Sequence, residues 1–223
     1  MHAILRSVRR SGLPVAFSQG YHPKPRVSFG PALPVGVSSS AEFLDLELLG
    51  HHEPVAVGGA LSAALPEGLS FLEAREIDAR APSLSESVRA VHYRVEFPEG
   101  WSAESLSRRI EDFHSADRSV VRRAAPPKAR EKKRRERSAA PKSREIDLKE
   151  MVTHLSVDGP GRVAFSLKAG PSGSAKPAEV LAFVFGDGTP PRGAKVLKEG
   201  VSFARAADEP RGFQPRSPRY ADA

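Results

Sequence analysis

Five side chains in one short stretch are suited to gripping an anion and stacking on a flat ring. Tyr21, His22, Lys24, Arg26 and Phe29 fall within Ser18 to Gly36, the string Ser-Gln-Gly-Tyr-His-Pro-Lys-Pro-Arg-Val-Ser-Phe-Gly-Pro-Ala-Leu-Pro-Val-Gly. Aromatic rings stack on bases, while lysine and arginine meet phosphates or acidic groups. Four prolines (Pro23, Pro25, Pro31, Pro34) fix φ and remove backbone donors, and three glycines (Gly20, Gly30, Gly36) permit left-handed or closely approached backbone. That composition excludes a helix and is too rich in proline for a central strand. The stretch reads as a rigid basic-aromatic loop with Ser18, Gln19, Gly20, Tyr21, His22, Lys24, Arg26, Ser28, Phe29 and Gly30 as candidate binding residues. A stiff crossover between two elements is the competing reading, because proline and glycine punctuate loops of every kind.

Other chemistry-bearing residues are weaker. Asp45 and Glu47 share one face of an alternating strand, Glu42 to Leu48, where a solvated face outweighs a metal site for want of a third ligand. His51-His52-Glu53 fails the His-Glu-x-x-His pattern, since Pro54 follows and no histidine comes three residues after Glu53. Gly170 to Ser174 is a flexible, anion-capable turn, but no Gly-Lys-Ser/Thr follows it, so it matches a phosphate loop poorly. A basic insert at about 125–144, with Lys128, Arg130, Lys132, Lys133, Arg134, Arg135 and Arg137, has little to bury and reads as mobile. It could hold RNA through phosphate contacts or act as a solubilising linker.

The elements that position the loop follow from periodicity. Ile4, Leu5 and Val8 mark one face of an opening helix stopped at Gly12-Leu13-Pro14. Leu13 to Phe17 and Glu42 to Leu48 read as strands, with Val27 to Phe29 a further short extended piece, Pro54 to Ala64 as a helix, and Leu69 to Ile77 as a strand. Residues 1–80 thus read helix, strand, strand, helix, strand, a split β-α-β unit lacking its initial strand. Ala81-Pro82-Ser83 reads as a linker. The second half begins with a strand alternating through Val91, Tyr93, Val95 and Phe97, followed by a helix capped by Ser102 with Leu106, Ile110 and Phe113 inward. Ser119 to Arg122 reads as a strand, or as the first arm of a hairpin tipped by the basic insert. Asp158-Gly159-Pro160-Gly161 turns a hairpin, Pro177 opens a helix, and Val196 to Phe203 is the last strand. The expectation is an α+β chain of two tandem ferredoxin-like units: 1–80 (the first, lacking its initial strand), 85–205 (the second) and a disordered tail at 206–223.

Composition bounds the rest. The 223 residues, 39% of them apolar, are enough for real cores. Cysteine is absent, which excludes a disulfide, a thiolate zinc site, a cysteine nucleophile or a Cys-ligated iron-sulfur cluster held by this chain alone. No cofactor is expected on it. There is no run of about 18 apolar residues and no secretory pattern, so the expected location is the cytoplasm, with no membrane partner. The net charge is +7, but residues 122–144 alone carry +9, leaving −2 for the remainder. The basic balance therefore comes from the insert, and a basic face on the fold must be argued locally.

The string Arg9 to Gly30, continuing through Leu33-Pro34-Val35-Gly36 and Ala41 to Leu46, resembles the bacterial radical-SAM-linked protein family, a domain of unknown function. Ile146-Asp147-Leu148 and Ala175 to Leu181 look like that family's later blocks. The resemblance implies a working partnership with a radical-SAM enzyme, beside which or behind which such domains are found. Relatives usually begin with a strand, whereas Met1 here falls inside a helix, so a late start or a shortened protein is expected. Joined to the stacking and cationic side chains of the loop, the resemblance gives the leading expectation: a non-catalytic accessory module that binds RNA or another anionic substrate. Two alternatives stand beside it: a metal-independent endoribonuclease similar to CRISPR repeat-processing enzymes, with His2 or His22 as base, and a protein-binding adaptor.

Overall fold

A computed structural model of the chain describes residues 2–78, 80–124, 143–170, 174–186 and 188–204. In chain order the elements are α1 (His2–Arg10), β1 (Val27–Phe29), β2 (Val37–Ser39), β3 (Leu44–Leu46), α2 (Pro54–Ala64), α3 (Leu84–Ser87), β4 (Val88–Glu96), α4 (Ala103–Ser115), β5 (Val120–Ala124), β6 (Ser143–Asp147), α5 (Leu148–Met151), β7 (Val152–Val157), β8 (Arg162–Lys168), α6 (Pro177–Val180), a π-helical turn (Leu181–Phe185) and β9 (Lys195–Phe203). The architecture is α+β. The chain divides into two compact units, Met1–Gly30 with Phe43–Ser87, and Pro31–Glu42 with Val88–Ala223.

In the first unit, α1 buries Val8 and half-buries Ile4 and Leu5 while leaving Arg6, Arg9 and Arg10 exposed, as its spacing predicts; Ser7, outside the predicted face, is buried as well. The helix docks end to end with α2: Arg10 Nη2 donates to the Ala64 carbonyl at 2.7 Å, satisfying one of the orphan acceptors at that C-terminus. β1 and β3 pair antiparallel, Val27 opposite Leu46 and Phe29 opposite Leu44. The expected strand over Leu69 to Ile77 does not form. Its Leu69, Leu72 and Ile77 are exposed, so alternation there finds no sheet to join. Phe71 packs instead on α2 at Gly58, where a Cβ would lie 2.6 Å from the ring. The expected linker after Ala81 is also structured. Ser83 and Glu86 exchange hydrogen bonds across α3, Ser83 N–H and Oγ both donating to Glu86 Oε2 (3.1 and 2.8 Å), and the helix runs directly into β4.

The second unit is a five-stranded sheet of order β2-β9-β4-β8-β7. Every neighbouring pair is antiparallel except β2 with β9. Val91, Tyr93 and Val95 of β4 share one face with Val163, Phe165 and Leu167 of β8, and α4 covers it with Leu106, Ile110 and Phe113. α6 and the π turn add Val180, Leu181, Val184 and Phe185 to the same core. Ser102 caps α4 by accepting from Ser105 N–H at 3.1 Å. The turn between β7 and β8 places Gly159 and Gly161 at φ 117 and 63, conformations that need glycine. β5 and β6 pair as the two arms of a hairpin, so the expected hairpin reading of Ser119 to Arg122 holds for the arms. Its expected basic tip and the 206–223 tail lie outside the described residues. Arg123 fastens the hairpin, its Nε and Nη2 on Glu179 at 2.7 and 2.6 Å.

Pro31–Glu42 behaves as a strap on this second unit. Its β2 lies parallel to β9, Val37 opposite Val196, and Ser40 N–H donates to Lys198 O at 3.0 Å. The Lys198 ammonium, 1% exposed, meets Glu42 Oε1 at 2.7 Å and the Pro31 carbonyl at 3.4 Å. One buried cation therefore ties both ends of the strap. Directly opposite Lys198, Tyr93 has its phenol pushed up to about 12 by burial and by Glu42.

Candidate functional site

The Ser18 to Gly30 loop is closed at its neck by backbone pairing. Ser18 N–H donates to Lys24 O at 2.8 Å, Lys24 N–H returns a bond to Ser18 Oγ at 3.0 Å, and Phe17 bridges Pro25. Below the neck, Ala16 N–H donates to Glu47 O and Arg26 N–H to Ala16 O, both at 2.8 Å, and Val15 bridges Leu48. Prolines cannot donate, so these few amides close the neck. The tip is left as Gln19, Gly20, Tyr21, His22 and Pro23, all exposed, with Gly20 at φ 127. Tyr21 is 93% exposed, and its ring meets the His22 imidazole edge-on at 4.7 Å between centroids. Lys24 is exposed, and its side chain makes no hydrogen bond or ion pair with a described residue.

The base of the loop differs from the tip. Arg26 and Ser28 point to one face of β1, and Asp45 and Glu47 to the matching face of β3 and its extension. Arg26 Nη1 lies 2.9 and 3.0 Å from the two Glu47 oxygens, and Ser28 Oγ donates to Asp45 Oδ2 at 3.0 Å. These groups line a shallow open groove with Val27. Phe29 and Gly30 are half-buried, and Gly30 N–H donates to Phe43 O at 3.0 Å, so they anchor the loop rather than present a ligand surface. The candidate residues thus sort into a tip (Gln19, Gly20, Tyr21, His22, Lys24), a clasp (Ser18), a polar groove (Arg26, Ser28) and an anchor (Phe29, Gly30).

The alternation alone reads Asp45 and Glu47 as a solvated face, and the structure makes them partners of two candidate binding residues. The signal was present in the alternation: Arg26/Ser28 and Asp45/Glu47 are complementary i, i+2 pairs on two period-two segments. His2 is exposed on α1 and His22 sits at the loop tip; neither imidazole is hydrogen-bonded to a described residue. The seven cations of the insert, Lys128 to Arg137, lie outside the described residues. No group of three metal-ligating side chains occurs among the described residues, and no described helix is long and apolar enough to cross a membrane.

A second polar cluster lies on the face of the second unit's sheet that α4 leaves uncovered. His92 of β4 is held at Nδ1 by Ser166 Oγ (2.7 Å) and at Nε2 by Ser202 Oγ (2.6 Å), across β8 and β9. Burial lowers its pKa, and His154 on β7 adds to the effect. Both ring nitrogens are occupied and the neutral imidazole is favoured, the marks of a satisfied structural histidine. On the same face Arg94 reaches Asp158 at 2.8 Å and Glu199 at 3.0 Å.

Residues 1–177 match the model of a family described as an uncharacterized protein conserved in bacteria (DUF2344), and the chain belongs to that family. The match covers the loop and, in the second unit's sheet, β2, β4, β7 and β8, and ends before β9. No curated protein and no solved structure matches the chain.

Proposed function

We propose, taking membership of that bacterial family as the premise, that the chain is an accessory module of a radical-SAM enzyme that binds RNA, with the Ser18 to Gly30 loop as the contact. One observation carries the reading: a tyrosine ring 93% exposed at the tip of a loop whose neck is closed by hydrogen bonds. An aromatic held outward on a fixed platform loses little freedom on binding, and stacking accepts any base. Lys24 supplies an uncommitted charge beside it for a phosphate. The partnership with a radical-SAM enzyme rests on the resemblance of the 9–46 string, and the missing cysteines leave any cluster to that partner. The second unit is read here as ferredoxin-like, because β9-β4-β8-β7 is antiparallel throughout with α4 after the first of these strands in sequence and α6 after the third. On that reading the strap's β2, the β5-β6 hairpin and α5 are additions to the plan.

The test is titration of labelled single-stranded RNA without metal. Replacing Tyr21 and Lys24 with alanine should weaken binding by roughly 1–3 kcal/mol per stacked base lost and lower the salt slope. Melting should move by no more than about 0.5 kcal/mol equivalent, since both side chains are exposed. Unchanged affinity would overturn the reading. Cleavage of the RNA would favour the endoribonuclease alternative, and absence of any RNA binding with retained affinity for the radical-SAM enzyme would make the chain a protein-binding adaptor.

A further inference from the structure

The groove at the base of the loop is poorly suited to a phosphate. One guanidinium, Arg26, faces two carboxylates, Asp45 and Glu47, so the groove carries a local charge of −1 and repels a phosphodiester. Yet its groups are not used up. Arg26 spends only Nη1 on Glu47, and its Nε and Nη2 make no hydrogen bond with a described residue. Asp45 accepts from Ser28 through Oδ2 alone. Half-exposed donors and acceptors therefore stand side by side, held in register by the Ser28–Asp45 pairing and by Glu47 N–H donating to Arg26 O at 3.1 Å.

A ligand for such a groove must both accept and donate. Phosphate only accepts, and an ammonium only donates. A nucleobase edge does both, and among the four RNA bases only guanine sets two neighbouring N–H donors, N1–H and N2–H, beside an acceptor, O6. A carboxylate takes the donor pair and a guanidinium takes the oxygen. Arg26 lies one residue below the Phe17–Pro25 bridge that forms the loop neck, so a base in the groove and a base on Tyr21 belong to one strand.

We infer that the groove of Arg26, Ser28, Asp45 and Glu47 holds an unpaired guanine by its Watson–Crick edge and sets the base preference of the loop. This rests on the RNA-binding reading above and adds the specificity that a stacking tyrosine lacks. Ser28 is a positioning residue, fixing the Asp45 carboxylate.

The experiment uses the full chain and short uridine tracts carrying a single central guanosine, adenosine, cytidine or uridine, titrated by fluorescence anisotropy. The guanosine tract should bind roughly tenfold or more tightly than the others, the range of a good bidentate base contact. Asp45→Asn and Glu47→Gln should each flatten that preference. Glu47→Gln should also raise affinity for the three tracts without guanosine, because a repelling charge is gone, an increase that a folding defect would not produce. Equal binding of the four tracts, or a guanosine preference that survives both substitutions, would overturn the inference while leaving the loop reading in place. Failure to bind any of them would overturn the RNA reading and the inference with it.

Discussion

The two units of this chain are held together by different physics. The second has nineteen buried apolar side chains in one cluster, drawn from three helices, the π turn and four strands or their flanks. The first, among its described residues, buries only Val8, Val15 and Ala16 of its apolar side chains, while Leu49, Val55, Leu72 and Ile77 remain more than half exposed. Where burial is scarce, backbone bonds at the loop neck and single anchors such as Arg10 on α2 set the geometry. The sparsely packed unit carries the exposed tyrosine and the polar groove, and the densely packed one carries the satisfied histidine. A contact surface and a deep core compete for the same side chains, and here they are assigned to separate units.

The sharpest way to break this comparison is to delete packing in each unit. Phe165→Ala, at the centre of the second unit's core, should cost about 3–5 kcal/mol and abolish its cooperative melt at moderate denaturant. Val15→Ala in the first unit should cost about 1–2 kcal/mol. Equal losses by chemical denaturation would show that the first unit also depends on a deep core. Next in size is the strap. Glu42→Gln strands the Lys198 ammonium and should cost about 2–4 kcal/mol, less than a fully buried pair because the Glu42 side chain is 40% exposed. Lys198→Met removes the charge along with its need for a partner and should cost about 1 kcal/mol or less, so the two variants should separate clearly in urea midpoint. Gly58→Ala should destabilise the first unit by about 1–2 kcal/mol net, since the new methyl drives Phe71 off α2 by more than the gain in helix propensity recovers.

The smallest effect is a pH dependence of the second unit. The folded pKa of His92 is lowered from 6.5, so as pH falls the unfolded chain takes up the proton first. The stability due to the neutral imidazole is complete above 6.5 and is lost as pH falls below that value through the folded pKa. Melting temperature followed from pH 8 to 5 should decline less in His92→Gln than in the wild type. Parallel curves would remove His92 from the account.

Much of the second unit was legible because its signals are local. The alternation of β4, the Ser102 cap, the Asp158 to Gly161 turn and the arms of the β5-β6 hairpin each fall within a few residues. Leu69 to Ile77 misled for the converse reason: alternation states that a segment can present one face, not that a sheet stands ready to receive it. The helix after Pro177 begins where expected, but its α-helical part ends at Val180 and the next five residues widen into the π turn. In the candidate site the loop itself was readable from proline, glycine and aromatics, whereas the commitment of Arg26 to Glu47 depends on a register set 21 residues away. The strap was the least legible feature. Nothing in Val37-Ser38-Ser39 identifies β9 as its partner.

That partner is also made very late. Lys198 meets Glu42 across 156 residues and Pro31 across 167. At the usual pace of synthesis, about 5–20 residues per second, the strap leaves the ribosome roughly ten to thirty seconds before the strand that receives it. β9 lies between β2 and β4 in the finished sheet, so the last strand translated fills an interior slot, not an outer one. During that interval the nascent chain exposes the bare edge of β4 together with Leu33 and Val35 of the waiting strap, a template for intermolecular pairing. A chain ending before Lys195 keeps that edge open permanently, so premature termination in the last tenth of the described fold should yield aggregates rather than a smaller folded protein.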